Sequence, residues 1–435
     1  MNYSLGNMLS GNNGSLNPDK LSLNLQFATD KTLTARKGPT PTFTRASTAT
    51  FVGSDGLIQS AAINQARFDH DPVTLACRGL LIEESRTNAM PRSQDFSNVA
   101  WTKTNSTISG TLYTDPSGTS TANELVEDIL LAAHTCQQSA GTATIGTTYT
   151  FSVFVKRKDT SNQFLLIGTS GLVSASFMSV NLTNGVTATG IGSPAAPINV
   201  SSTAYPNGWY RVQFSVVATS AAAITLDIRL SRDGTWANRS YLGDGVQSSL
   251  IWGAQVEVGT FPTSYIPTTT ASVVRSADVC SISASNFTGF WNQSAGTLVE
   301  AFEASPNTNT TYVSASNGNI VQNSVHMDND TGLMRAVYYS GSSLVATLDL
   351  GSVGTVGTVN TIATAYSVND FAASRNGGTV VTDTSGAVPA SLSQMNIGAD
   401  ERSQTPTSFY SNRCIKSLRY YKKRLANAKL QTLST

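Results

Sequence analysis

Charge is scarce in this chain. Its 435 residues include 28 Lys and Arg and 27 Asp and Glu, 13 % in all, for a net charge of +1. That balance excludes a protein that binds nucleic acid or another polyanion through a strong basic field. It also excludes a chain kept disordered by its own charge. Glu, Lys and Leu, which build long amphipathic helices, are too few for a helical architecture. No run approaches the roughly 18 apolar residues of a membrane span, so no membrane insertion is expected. The first residues carry neither a basic stretch nor an apolar segment, so no secretion signal is read there. Four cysteines, Cys77, Cys136, Cys280 and Cys414, are too scattered for a disulfide scaffold or a zinc clip. They read as small buried hydrophobes in a protein made in a reducing cytoplasm. The three histidines, His70, His134 and His326, lie far apart without metal-ligand spacing and read as turn or surface residues.

What is abundant is hydroxyl. Serine and threonine number 55 each, twice the charged residues, and 34 glycines accompany them. This is the composition of β-structure with many turns and a polar, uncharged surface. The length points to two or three domains. Residues 1–20 lack apolar periodicity. Leu21, Leu23, Leu25 and Phe27 then alternate with polar residues as a one-face strand. The expected organisation is an extended arm over 1–45, a turn-rich connecting module over 46–95, and two antiparallel β-sandwich (jelly-roll) domains over 96–283 and 284–435. The strongest alternation lies around Tyr149–Val155, Tyr210–Val216 and Ile224–Leu230, each with one apolar face. Residues 261–270 read as an extended strap leaving the first sandwich. Further strands are expected at 297–302, 333–339, 344–350 and 361–366, a hairpin turn at 375–378, and a closing strand with one short helix over 415–433.

Three stretches carry a resemblance. They are residues 44–51 (TRASTATF) with 55–58 (DGLI), residues 66–72 (ARFDHDP) leading to 79–88 (GLLIEESRTN), and residues 252–268 (WGAQVEVGTFPTSYIPT). Together they resemble tail, fibre and head-decoration proteins of tailed bacteriophages and prophages. Residues 95–101 (DFSNVAW) and 208–212 (GWYRV) fit the same pattern, and 418–425 (LRYYKKRL) resembles the last strand of a concanavalin/laminin-G-like module. The resemblance covers about residues 40–435. It implies an all-β protein: a carbohydrate-binding-module-like jelly roll over 96–283, then a concanavalin/laminin-G-like sandwich. It implies a non-enzymatic virion structural protein, a fibre, spike or capsid-decorating appendage. Such a protein would be assembled in the host cytoplasm, docked to other virion proteins through residues 1–45, and displayed as a homotrimer. One departure is that Ala426 and Lys429 stand where the family carries a helix cap, so the terminal helix should be frayed or held by packing.

Sugar binding is the ligand chemistry with physical content. Aromatic rings stack on sugar C–H faces while hydroxyl and amide groups complete the hydrogen bonds. The glycan-contacting candidates, for a host surface polysaccharide, are Trp101, Trp236, Tyr241 and Trp291; Trp236 follows a turn and is the best placed. Trp209 and Trp252 sit in apolar strands and read as core. Asp328 and Asp330 in a DNDTG turn are a weak calcium pair, because calcium takes 6–8 oxygens and the loop lacks the closing Glu; otherwise no cofactor or metal is expected. The competing reading is a polysaccharide lyase or depolymerase on a jelly-roll scaffold. It would need a His or Tyr base beside an Arg or Asn that neutralises the sugar acid.

Overall fold

The computed structural model describes residues 21–158, 163–400 and 409–435. Half of the chain is strand and 5 % is helix, arranged in antiparallel sheets, so the all-β expectation holds. No helix among the described residues is long and apolar enough to cross a membrane.

The first sandwich packs a seven-stranded sheet, with Thr148–Arg157 between Ser248–Val258 and Trp209–Val217, on a six-stranded one centred on Phe164–Thr169 and Ala223–Ser231. Period-two alternation explains the packing. Phe151 and Val153 lie opposite Phe214 and Val212 across the ladder, and the two Phe rings stack at 4.8 Å. Trp209 and Trp252 are core residues, as read from their apolar strands.

The second sandwich departs from the expected boundaries. One of its sheets, eight-stranded, runs through Val359–Ser367, Ala295–Glu303 and Arg413–Tyr421 and is completed by Cys77–Ile82, Phe68–His70 and Leu21–Leu25. The facing seven-stranded sheet begins with Thr42–Thr44 and Val279–Ser283. Residues 21–45, expected in a free arm, are therefore built into the C-terminal sandwich. The Leu21–Leu25 strand pairs antiparallel with Arg413–Tyr421, and Leu23, Leu25 and Phe27 are wholly buried. Cys77–Ile82 pairs with the other half of the same edge. The remainder of the expected arm, residues 1–20, lies outside the described residues. Among the described cysteines, Cys136, Cys280 and Cys414 are buried and all four are free.

The resembling stretches converge on one buried junction between the connecting module, the strap and the second sandwich. Asp278 accepts hydrogen bonds from Arg45 (3.1 Å), Arg67 (2.5 Å) and the Glu83 N–H (2.8 Å). Arg67 also donates to Glu83 at 2.8 Å, and Glu83 receives both the Ser264 N–H and hydroxyl at 2.7 Å. The side chains of Arg45, Arg67 and Asp278 are fully buried. Burial alone would raise the Glu83 carboxyl, but Arg275 and Arg67 beside it hold it well below the usual carboxylate range. The strap is clamped by the same logic. Gln255 accepts the Ile266 N–H at 2.7 Å, and Glu257 accepts the Thr263 N–H and hydroxyl at 2.9 and 2.6 Å. Asn88 donates to the carbonyls of Ala254 and Ile266.

The terminal helix Asn427–Leu433 has no side-chain cap at Ala426 and is held by packing: Leu430 is buried with Leu425 and Val299. Its end is tied down by Ser434, whose hydroxyl lies 3.1 Å from that of Ser374. Within the core of this sandwich, Glu300 is fully buried and neither carboxylate oxygen has a partner. Burial raises its pKa well above the ordinary value, which favours the neutral acid.

Four outcomes are expected. Leu25→Ala should cost about 2–5 kcal/mol of unfolding free energy by denaturant titration, as for other truncations in a packed core. Asp278→Asn, which leaves Arg45 and Arg67 buried with less counter-charge, should cost about 3–5 kcal/mol. Because Glu83 is depressed in the folded state, its contribution is present above the unfolded carboxylate value of about 4.3 and is lost as pH falls through the lower folded one, so the wild type should lose stability steeply below about pH 4. Glu300 works in the opposite sense. Its penalty is absent below the unfolded value and grows as pH rises, so Glu300→Gln should raise Tm at pH 8 and gain little at pH 4, read by calorimetry.

Candidate functional site

The second sandwich carries a polar hollow of about 260 Å³ on the sheet that contains Asn309–Ser316, Ser324–Asp330, Leu333–Ser340 and Ser343–Ser352. Strand alternation builds it. Val325 and Met327 enter the core, as do Met334, Ala336 and Tyr338, and this leaves His326, Asp328, Arg335 and Tyr339 on the opposite face. The Ser324–Asp330 and Leu333–Ser340 strands are joined by a two-residue turn in which Thr331 and Gly332 both have positive φ (51° and 88°), the hairpin geometry that matches strand twist.

The charges in the hollow neutralise one another. Arg335 forks onto both oxygens of Asp328 at 3.0 and 2.7 Å and reaches Asp330 at 2.7 Å. Burial opposes the Arg335 charge, but Asp328 and Asp330 outweigh it and raise its pKa. His326 lies 2.9 Å from the Ser324 hydroxyl, and its ring is parallel to that of Tyr339 at 6.2 Å. Neutral groups supply the open bonding capacity. Thr310 and Asn329 both line the hollow and are buried, yet among the described residues the Thr310 hydroxyl and the Asn329 amide oxygen have no partner. The Asn329 amide nitrogen donates to the Asn307 carbonyl at 2.9 Å, which fixes the side chain with its oxygen free.

The four aromatic candidates do not gather into a site. Trp101 is wholly buried against Phe96 (4.3 Å between rings) and donates its indole N–H to the Arg92 carbonyl at 3.0 Å. Trp291 is buried in the second core and stacks on Tyr420 at 4.2 Å. Neither presents a ring to solvent, because each is packed into the core of a sandwich. Tyr241 is half-buried; its hydroxyl donates to Glu127 at 2.6 Å and its ring packs on His134 at 4.7 Å and under Arg232. Trp236 is half-exposed, but Phe177 and the Arg229 and Arg239 guanidiniums lie 4.6 to 5.2 Å from its ring, so protein groups crowd the surface a sugar would stack on. Asp328 and Asp330 do lie together, but their carboxylates are held by Arg335 rather than turned to a common cation site. Among the described residues no group of three or more His, Cys, Asp and Glu could hold a metal. The histidines, read as turn or surface residues, are all buried: His70 lies 3.2 Å from the Val52 carbonyl and His134 2.6 Å from that of Asn105.

Sequence reasoning missed the hollow because it did not read Asn309–Ser316 or Ser324–Asp330 as strands. The signal was there: Val325 and Met327 alternate with Ser324, His326 and Asp328 over one short span.

No protein-family model matches the chain, and no curated protein matches it. Among solved structures, it aligns with the NanB sialidase of Streptococcus pneumoniae at TM-score 0.31 and 16 % identity, over 35 % of this chain and 26 % of that one. The chain thus spans about a quarter of that sialidase's length. It aligns with domains LG4-5 of the mouse laminin α1 chain at TM-score 0.25 and 11 % identity, over 66 % and 85 % of the two chains. A heptameric SAP-like pentraxin from Limulus polyphemus aligns at TM-score 0.26 and 12 % identity, over 32 % and 70 %. Likenesses at this level assign no activity, and the β-sandwich class rests on the chain's own sheets.

Proposed function

We propose that this chain is a non-enzymatic display protein of a tailed-bacteriophage particle, and that the hollow of its second sandwich binds a host surface polysaccharide. The observation that carries the ligand reading is that one depression is lined by internally neutralised charges, by the buried Thr310 hydroxyl and Asn329 amide oxygen, which have no partner among the described residues, and by Tyr339. Neutral donors and acceptors beside an aromatic face suit a polyhydroxyl ligand. The particle reading rests on the resembling stretches. Display in many copies, as in a homotrimer docked on other virion proteins through its first residues, would turn weak single sites into useful avidity.

One observation favours a second reading. His326, Tyr339, Arg335 and Asn329 share the hollow, and a base next to an Arg or Asn is what a polysaccharide lyase requires. Against it, Arg335 is already committed to two carboxylates and has little left for a sugar acid.

Titrating the full chain with purified host polysaccharide separates the readings. Binding that falls about tenfold in Asn329→Ala and Tyr339→Ala, at unchanged Tm and without release of unsaturated sugars, is the expected result. Unsaturated products that vanish in His326→Ala or Tyr339→Phe would establish the lyase instead.

A further inference from the structure

A second cavity, of about 150 Å³, lies where the two sandwiches and the connecting module meet. Its wall draws Asp69 and Arg78 from the connecting module, Tyr205, Arg211 and Gln213 from the first sandwich, and Arg413 from the second. The charges around it do not cancel. Arg78 is satisfied: it forks onto Glu303 at 2.9 and 2.6 Å and reaches Asp69 at 3.3 Å. Glu83, also on the wall, is consumed by Arg67 and Ser264. Two guanidiniums remain. Among the described residues the Arg211 guanidinium donates to the neutral Ser152 hydroxyl at 3.1 Å, lies over the Phe154 ring at 5.5 Å, makes no ion pair, and leaves its Nε without a partner. Arg413 makes no ion pair among the described residues, and its Nε is buried without a partner. Burial and the nearby Arg78 push its pKa down, and the Glu303 and Glu83 carboxylates, held by Arg78 and Arg67, only partly offset this. Partly buried cations without counter-charge are costly, and a guanidinium fork matches a planar or tetrahedral oxyanion in geometry.

We infer that this cavity binds a compact oxyanion, the carboxylate or sulfate of a small acid or an acidic saccharide, with Arg413 and Arg211 as its counter-charges. The partly buried Tyr205 lies on the same wall, and burial raises its phenol's pKa, which favours the protonated form that can donate. The site is separate from the hollow of the second sandwich and stands or falls independently of it. Because its walls come from all three parts of the fold, an occupant would also bridge them.

The test uses the full chain at constant ionic strength in chloride, titrated in parallel with acetate, sulfate and a glucuronate-containing disaccharide. Heat release and Tm are both followed. The expected result is saturable binding of at least one of them at millimolar concentration or below, with a matching rise in Tm. Tighter binding of the disaccharide assigns the site to an acidic saccharide, and binding of acetate or sulfate alone assigns it to a free acid. Arg413→Gln and Arg211→Gln should each weaken binding about tenfold or more, while Tm in chloride alone stays level or rises because an unpaired cation has gone. Arg413→Lys should keep part of the affinity. No saturable binding of any of the three up to tens of millimolar, or wild-type affinity kept by both Gln variants, would overturn the assignment.

Discussion

The molecule is organised around a set of charges with no access to water. Arg67 lies between Asp278 and Glu83, Arg45 shares Asp278, and the Ser264 backbone and side chain close the remaining acceptor positions. Removing such ions from water costs several kcal/mol each, and their mutual attraction recovers this only with near-complete hydrogen bonding. Such a cluster therefore adds little net stability over an apolar plug of equal size. Its value is that it tolerates one arrangement only. Arg45 follows the Thr42–Thr44 strand of the second sandwich, Arg67 and Glu83 come from the connecting segment, Ser264 from the strap and Asp278 from the lead into the second sandwich. Any slip among these pieces strands a charge. The orientation of the two sandwiches, and with it the cavity between them, follows from that intolerance.

This gives the resembling stretches a physical meaning. The Arg of TRASTATF, the Arg of ARFDHDP, the first Glu of GLLIEES and the Ser of the strap meet in one place, while Gln255 and Glu257 fasten the strap to its own strand. The aromatic pair Phe96 and Trp101 likewise forms an interior plug.

What was legible in the sequence was whatever local periodicity encodes. Strands such as Thr148–Arg157, Trp209–Val217 and Val359–Ser367 announce themselves by alternating apolar residues, and the Asn376-Gly377 turn by residues that accept positive φ. Long-range pairing was not legible. Nothing in LSLNL says that its partner lies almost four hundred residues away, and a strand whose partner is unseen reads as a tail. Site chemistry failed for a related reason. A tryptophan that packs inward, as Trp101 and Trp291 do, and one that faces a ligand are not told apart by their sequence neighbours. The hollow, by contrast, is made of His, Asp, Arg and Tyr from neighbouring strands, and only the register Asp328↔Arg335 brings them together.

The seam between the first described strand and the last one has a consequence for biosynthesis. Ser22 donates to the carbonyl of Tyr420 across a separation of 398 residues, and the whole first sandwich is threaded in between. On a ribosome the Leu21–Leu25 segment emerges hundreds of residues before its complement and must wait with its hydrophobic face uncovered. The inserted sandwich holds both of its sheets within residues 102–258 and is free to close first, bringing the flanking segments together as it does. The closing stretch then acts as a late checkpoint: a product cut short before Arg413–Tyr421 lacks the strand that joins Leu21–Leu25 and Cys77–Ile82 to Ala295–Glu303, and it carries an open, sticky border into the crowded cell.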